Sequence, residues 1–96
     1  MGISAETIVR RRSDVITESV LDDVVVLDPA TSRYVRLNTS SATLWQALAG
    51  SPATIESLGH LLEERHAAPS ERAVSDALAF VEAMSRRGLV ELSGPV

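Results

Sequence analysis

Val24-Val25-Val26-Leu27-Asp28-Pro29-Ala30-Thr31-Ser32-Arg33-Tyr34-Val35-Arg36-Leu37 is the stretch that decides the fold. Its first four residues are a continuous apolar run, suited to a strand buried on both faces. Asp28-Pro29-Ala30-Thr31-Ser32 turns the chain, because Asp can bond its own downstream backbone and Pro fixes φ at the second turn position. Beyond it the residue types alternate: Tyr34 and Arg36 face one way, Val35 and Leu37 the other, the period of two that a half-covered strand needs. Residues 24–28 and 33–37 therefore predict a β-hairpin.

Upstream, Asp14–Leu21 is rich in β-branched residues with Ile16 and Val20 on one face, which predicts a strand, and Asp22-Asp23 reads as a turn. Residues 1–13 mix apolar and charged types without clear period and are expected to be a loose or lightly docked arm. Three helices are expected downstream. Asn38, Thr39 and Ser40 offer N-cap oxygens to a first helix with Leu44, Trp45 and Leu48 as its apolar stripe, stopped before Gly50. The Trp45 indole N–H needs a partner, so one edge of the ring is expected at the surface. Thr54 caps a second helix carrying Ile55, Leu58, Leu61 and Leu62, which closes on Glu63, Glu64, Arg65 and His66. Ser70 caps a third helix from Glu71 to about Arg87. Its core stripe is Val74, Ala77, Leu78, Val81 and Met84; a second row, Ala73, Asp76, Phe80, Ala83 and Arg87, adjoins it. Gly88 suits the position after its end, and Leu89–Leu92 is a final strand or extended tail. The expected fold is thus α+β and winged helix-turn-helix-like: a three-stranded antiparallel sheet followed by three helices, β-β-β-α-α-α, with the hairpin ahead of the helices. The domain is expected over residues 14–92, with a tail at 93–96.

Composition narrows the function. The 96 residues allow one core. A formal net charge of −4, with no lysine at all, argues against nucleic acid, where neutralising phosphates supplies most sequence-independent affinity. The one contiguous basic cluster is Arg10-Arg11-Arg12. The absence of cysteine excludes disulfides, thiolate nucleophiles and cysteine-rich zinc sites. No secretory signal and no apolar run near the ~18 residues of a membrane span is visible, so a cytoplasmic protein without membrane partners is expected.

A search for chemistry finds little. His60 and His66 are six apart and do not share a helix face, and there is no His-Glu-x-x-His pattern. Glu63-Glu64 and Asp22-Asp23 are adjacent carboxylates that read as a solvated face and a turn. No Gly-x-Ser-x-Gly elbow or glycine-rich phosphate loop is present. The expectation is a non-enzyme with no catalytic residues, no metal site and no cofactor.

The run Val26-Leu27-Asp28, Arg33-Tyr34, Leu37-Asn38 and Leu44-Trp45-Gln46-Ala47-Leu48, followed by Asp76 and Gly88-Leu89-Val90, resembles the PqqD-like family of leader-recognition proteins. More narrowly it resembles the free-standing recognition element of ribosomally made lasso peptides, the leader-binding partner of a split B enzyme. The likeness covers about residues 14–92. Two turns depart from the family pattern: Thr31-Ser32-Arg33-Tyr34 stands where the family often has Gly before Arg-Tyr, and Asp22-Asp23 stands for Asp-Gly.

The resemblance implies that a precursor's leader lies between the third strand and the third helix. The strand 33–37 follows a hairpin, and if it is an edge an extended peptide can add to it, with pockets for alternate side chains. The expected peptide-binding residues are Arg33, Tyr34, Val35, Arg36, Leu37, Ala73, Asp76, Ala77, Phe80, Val81 and Arg87. Val35, Leu37, Ala77, Phe80 and Val81 would line apolar pockets; Arg33, Arg36 and Arg87 would pair with leader carboxylates and Asp76 with a cation or amide. Val35, Leu37, Ala77 and Val81 read equally well as plain core. The implied partners are the precursor leader, the leader peptidase of the split B enzyme and the lasso cyclase. The alternatives are a PqqD-like peptide chaperone for a radical SAM maturase, a winged-helix DNA-binding regulator, and a self-associating scaffold.

Overall fold

The computed structural model describes residues 3–21 and 23–94. Its elements run β1 (Ile8–Arg11), β2 (Ile16–Val20), β3 (Asp23–Asp28), β4 (Arg33–Leu37), α1 (Thr39–Ala47), β5 (Ala53–Thr54), α2 (Ile55–His66), α3 (Ser70–Arg86) and β6 (Val90–Ser93). The α+β class and the three-stranded antiparallel sheet ahead of the helices are as expected, but the described residues hold six strands rather than three. They form two antiparallel three-stranded sheets, ordered β2-β3-β4 and β5-β1-β6. Asp22, half of the expected turn, lies outside the described residues, as do positions 1, 2, 95 and 96.

The second sheet corrects the reading of residues 1–13 as a loose arm. β1 is a central strand, pairing Val9 with Ala53 of β5 and with Leu92 of β6. Val9 has no exposed surface, and Thr7 is buried beside it. The preceding turn also serves α2, since the carbonyls of Ala5 and Thr7 accept the backbone N–H groups of Glu56 and Ile55. Those first-turn donors have no partner within their own helix. β1 escapes a periodicity search because Val9 is its only buried residue and its main partner, β6, lies at the far end of the chain. The same pairing carries the fold through Ser93, one residue past the expected domain end.

The hairpin forms with Val26 opposite Val35 and Asp28 opposite Arg33. Its turn uses the expected Asp28 carboxylate, which accepts the Ala30 N–H at 3.0 Å. β3 is not buried on both faces: Val24, Val26 and Asp28 are buried, while Val25 and Leu27 are only half covered. Helices cover one side of the sheet alone. The shared face of Ile16 and Val20 on β2 is the outer one, at 43% and 54% exposure. The inward residue of β2 is instead Thr17, whose hydroxyl accepts the Trp45 Nε1–H at 2.9 Å. Trp45 therefore needs no solvent-facing edge; it is fully buried, against expectation, because its polar atom is satisfied inside.

Asn38 and Thr54 cap α1 and α2 through their side chains, as expected. Ser70 does not cap α3: Pro69 holds that position, and the Ser70 hydroxyl donates to the Glu63 carboxylate at 3.1 Å. Gly59 lets α2 approach α3 closely, since a Cβ there would lie 3.0 Å from Val74 Cγ2 and 3.2 Å from its Cα. Gly88, at φ +72°, ends α3 with paired bonds from Gly88 N–H to the Ser85 carbonyl and from Leu89 N–H to the Met84 carbonyl.

Candidate functional site

β4 is the edge of its sheet, so one row of its backbone N–H and C=O groups has no strand partner among the described residues. Beside its first half, the C-terminal end of α3 approaches and leaves a pocket of about 170 Å³. Val26, Val35 and Leu89 supply apolar lining; Asp28, Arg33, Arg86 and Arg87 supply charge. A shallower hollow of about 500 Å³ lies at the other end of β4, between Leu37, Asp23 and α1.

Strand parity sorts the expected β4 residues. Val35 and Leu37 face the helices, half-buried and buried. Arg33 lies on that same face, opposite Asp28, and reaches the pocket. Tyr34, 70% exposed, sits at the pocket rim in line with Leu27 and Ile16 on the outer face. Arg36 belongs to the outer face too, where it pairs across the hairpin with Asp23 at 3.4 Å. It is thus not grouped with Arg33 and Arg87.

On α3 the expected second row splits. Ala73, Ala77 and Val81 have no exposed surface, and Phe80 keeps 7%. These four are core, together with Met84, so they form the support of a groove rather than its open wall. The apolar face is rotated by about one position from the expected stripe, because Val74 and Leu78 are only half-buried. What remains on the shoulder is Asp76, Ala83, Arg86 and Arg87. Arg86 and the pocket residues Val26, Asp28 and Leu89 were missed by sequence reasoning. Arg86-Arg87 ahead of Gly88 read only as charges suited to a helix end, and nothing local announces that this end meets β4.

The contiguous cluster Arg10-Arg11-Arg12 is largely built into the scaffold. The Arg11 guanidinium stacks on Trp45, 4.5 Å from the ring centroid, and donates to the Trp45 carbonyl and the Thr17 hydroxyl. Partial burial pulls its pKa down. Arg12 donates to Asp14 at 2.6 Å, to Asp28 at 3.3 Å and to the Gly88 carbonyl at 2.9 Å. Hydrogen bonds to Asp14 and then Asp28 raise its pKa, and the bond from Arg12 in turn lowers that of Asp14. Among the described residues no group of three or more His, Asp or Glu could hold a metal ion, and no helix is long and apolar enough to cross a membrane.

Residues 23–90 match the sequence profile of PqqD, coenzyme PQQ synthesis protein D. The chain belongs to the PqqD family. The match spans both hairpin strands and all three helices. Among curated protein sequences no relative matches. Solved structures share the fold at low identity. TbiB1 in complex with the TbiA(beta) leader peptide superposes with a TM-score of 0.76 at 20% identity, covering 85% of this chain and 94% of that one. A lasso peptide synthetase B1 complexed with the leader peptide gives 0.75 at 20% identity, covering 86% and 96%. The PqqD truncation of Methylobacterium extorquens PqqCD, a stand-alone recognition element for ribosomally synthesised and modified peptides, gives 0.77 at 15% identity, covering 94% and 95%.

Proposed function

We propose that this protein binds the leader of a ribosomally made precursor, of the lasso peptide kind, as an added strand on the free edge of β4. It then presents that precursor to a separate leader peptidase and cyclase and performs no chemistry of its own. The observation that carries the reading is the unpaired edge of β4 beside the exposed shoulder of α3, with a pocket where the two converge. An extended peptide gains main-chain hydrogen bonds from such an edge, and the pocket selects among side chains. Two fold neighbours named as complexes with leader peptides support the choice of ligand.

The test is binding of the protein to a labelled synthetic leader from a short precursor encoded beside it. Saturable binding, lost when alternate peptide nitrogens are methylated, is the expected result; single-register N-methylation removes only the donors that face β4. Binding indifferent to methylation at every position would sink strand addition. The family profile also favours a second reading, a PqqD-like chaperone for a radical SAM maturase. Affinity capture of purified candidate enzymes with the protein–leader complex separates the two, since each reading names a different enzyme class as the one retained.

A further inference from the structure

The pocket between β4 and the end of α3 is charged in one sense. Arg33, Arg86 and Arg87 all line it, all are exposed, and none makes an ion pair among the described residues. Its one carboxylate is already engaged away from these arginines. Asp28 has a side chain only 8% exposed and is held by Arg12 at 3.3 Å, with the Ala30 N–H as a further donor at 3.0 Å. A helix C-terminus ordinarily repels an anion through its free carbonyls. Here most of those carbonyls are occupied: Ala83, Met84 and Ser85 accept from Arg87, Leu89 and Gly88, and just past the helix the Gly88 carbonyl accepts from Arg12 at 2.9 Å. Positive charge is therefore in excess at this spot, three arginines against one engaged carboxylate, on a chain whose formal net charge is −4.

We infer that this pocket is a subsite for an acidic side chain, a Glu or Asp of the bound peptide at the position that passes Arg33. The inference rests on the strand-addition reading above and adds a chemical class to it. A peptide carboxylate fits better than a small free anion for two reasons. The pocket opens beside the edge a peptide would occupy, and Val26, Val35 and Leu89 offer apolar surface to the methylene stem that carries the charge. Guanidinium forks match a carboxylate in paired hydrogen bonds, which sets direction as well as affinity. All three arginines stand at the C-terminal end of α3 and the start of β4, so an acid bound there lies at the part of the peptide that passes the first half of β4.

The experiment selects a displayed library of random twelve-residue peptides on the intact protein and, in parallel, on the R33Q/R86Q/R87Q variant, both first shown to be folded by circular dichroism. The expected winners share an acidic residue at a fixed spacing from apolar positions, and the variant loses the acidic preference while keeping the apolar ones. For one such peptide, replacing the acid by its amide weakens binding about five- to tenfold at low salt, and by less at high salt. Winners without an acidic preference, or with one that persists on the variant, overturn the subsite and leave strand addition standing. Failure to enrich any extended peptide overturns strand addition itself, and the subsite with it.

Discussion

Arg10, Arg11 and Arg12 are consecutive in the chain, whereas Arg33, Arg86 and Arg87 come from two distant segments. The consecutive set diverges: Arg11 stacks on Trp45, Arg12 joins Asp14, Asp28 and the Gly88 carbonyl, and Arg10 stays exposed. The scattered set converges on one pocket and forms no ion pair among the described residues, the Asp28 carboxylate there being held by Arg12. A run of charges in sequence is thus a poor guide to a charged surface. A strand alternates its faces, so neighbours along β1 point apart, while β4 and the end of α3 bring remote residues together. The same contrast separates the two sheets. β1 is paired on both sides and carries structure; β4 is paired on one side and offers an edge.

The largest effects should fall on the closed side. Trp45→Ala empties a fully buried ring site and is expected to cost about 3–5 kcal/mol, read as a lower urea midpoint. Thr17→Val keeps the shape but strands the buried Trp45 N–H without its acceptor, for about 1–3 kcal/mol. A Thr17→Val protein as stable as the parent would mean that the indole finds another partner and that β2 does not lock α1. On the open side, Ser32→Gly should stabilise by about 0.5–1 kcal/mol, because Ser32 holds φ +59° in the turn leading into β4. The triple change R33Q/R86Q/R87Q should alter stability by no more than about 0.5 kcal/mol, because these exposed side chains hold nothing in the fold. A loss comparable with that of Thr17→Val would erase the distinction between the two arginine sets.

Ser32 also shows how far local signals reach. The absence of Gly before Arg33-Tyr34 was visible as a departure from the family's turn, and the left-handed backbone at Ser32 is the position where Gly would be favoured. The hairpin and the helix caps at Asn38 and Thr54 were legible for the same reason: a turn residue, a cap or a two-residue period acts on its immediate neighbours. Three things were not legible, and each depends on contacts between distant segments. β1 exists because β6 and β5 flank it. Trp45 is sealed because Thr17 supplies an acceptor from another element. The α3 residues expected to wall a groove lie partly on the buried face, because a helix with small residues on several sides leaves its rotation to whatever packs against it. Ala73 and Phe80 faced the core, and Arg86 faced β4.

The smallest expected effect tests the clamp made by Arg12. Its hydrogen bond and charge hold the Asp14 carboxyl below the ordinary value of 3.8. A carboxyl with a depressed folded-state pKa contributes stability that is fully present above the unfolded value and fades as pH falls through the folded one. The contribution of Asp14 should therefore be complete above about pH 4 and disappear in more acid solution. Arg12 adds nothing to this window, because its own pKa is raised and it stays charged throughout. Comparing the parent with Asp14→Asn isolates the effect, since every other carboxylate titrates in both proteins. Their unfolding midpoints should differ modestly at neutral pH, the parent being the more stable, and converge as pH falls through the depressed folded-state pKa of Asp14. Parallel curves across the whole range would show that the short Arg12–Asp14 contact at 2.6 Å contributes no linkage, leaving Asp28 and the Gly88 carbonyl as the contacts that anchor Arg12.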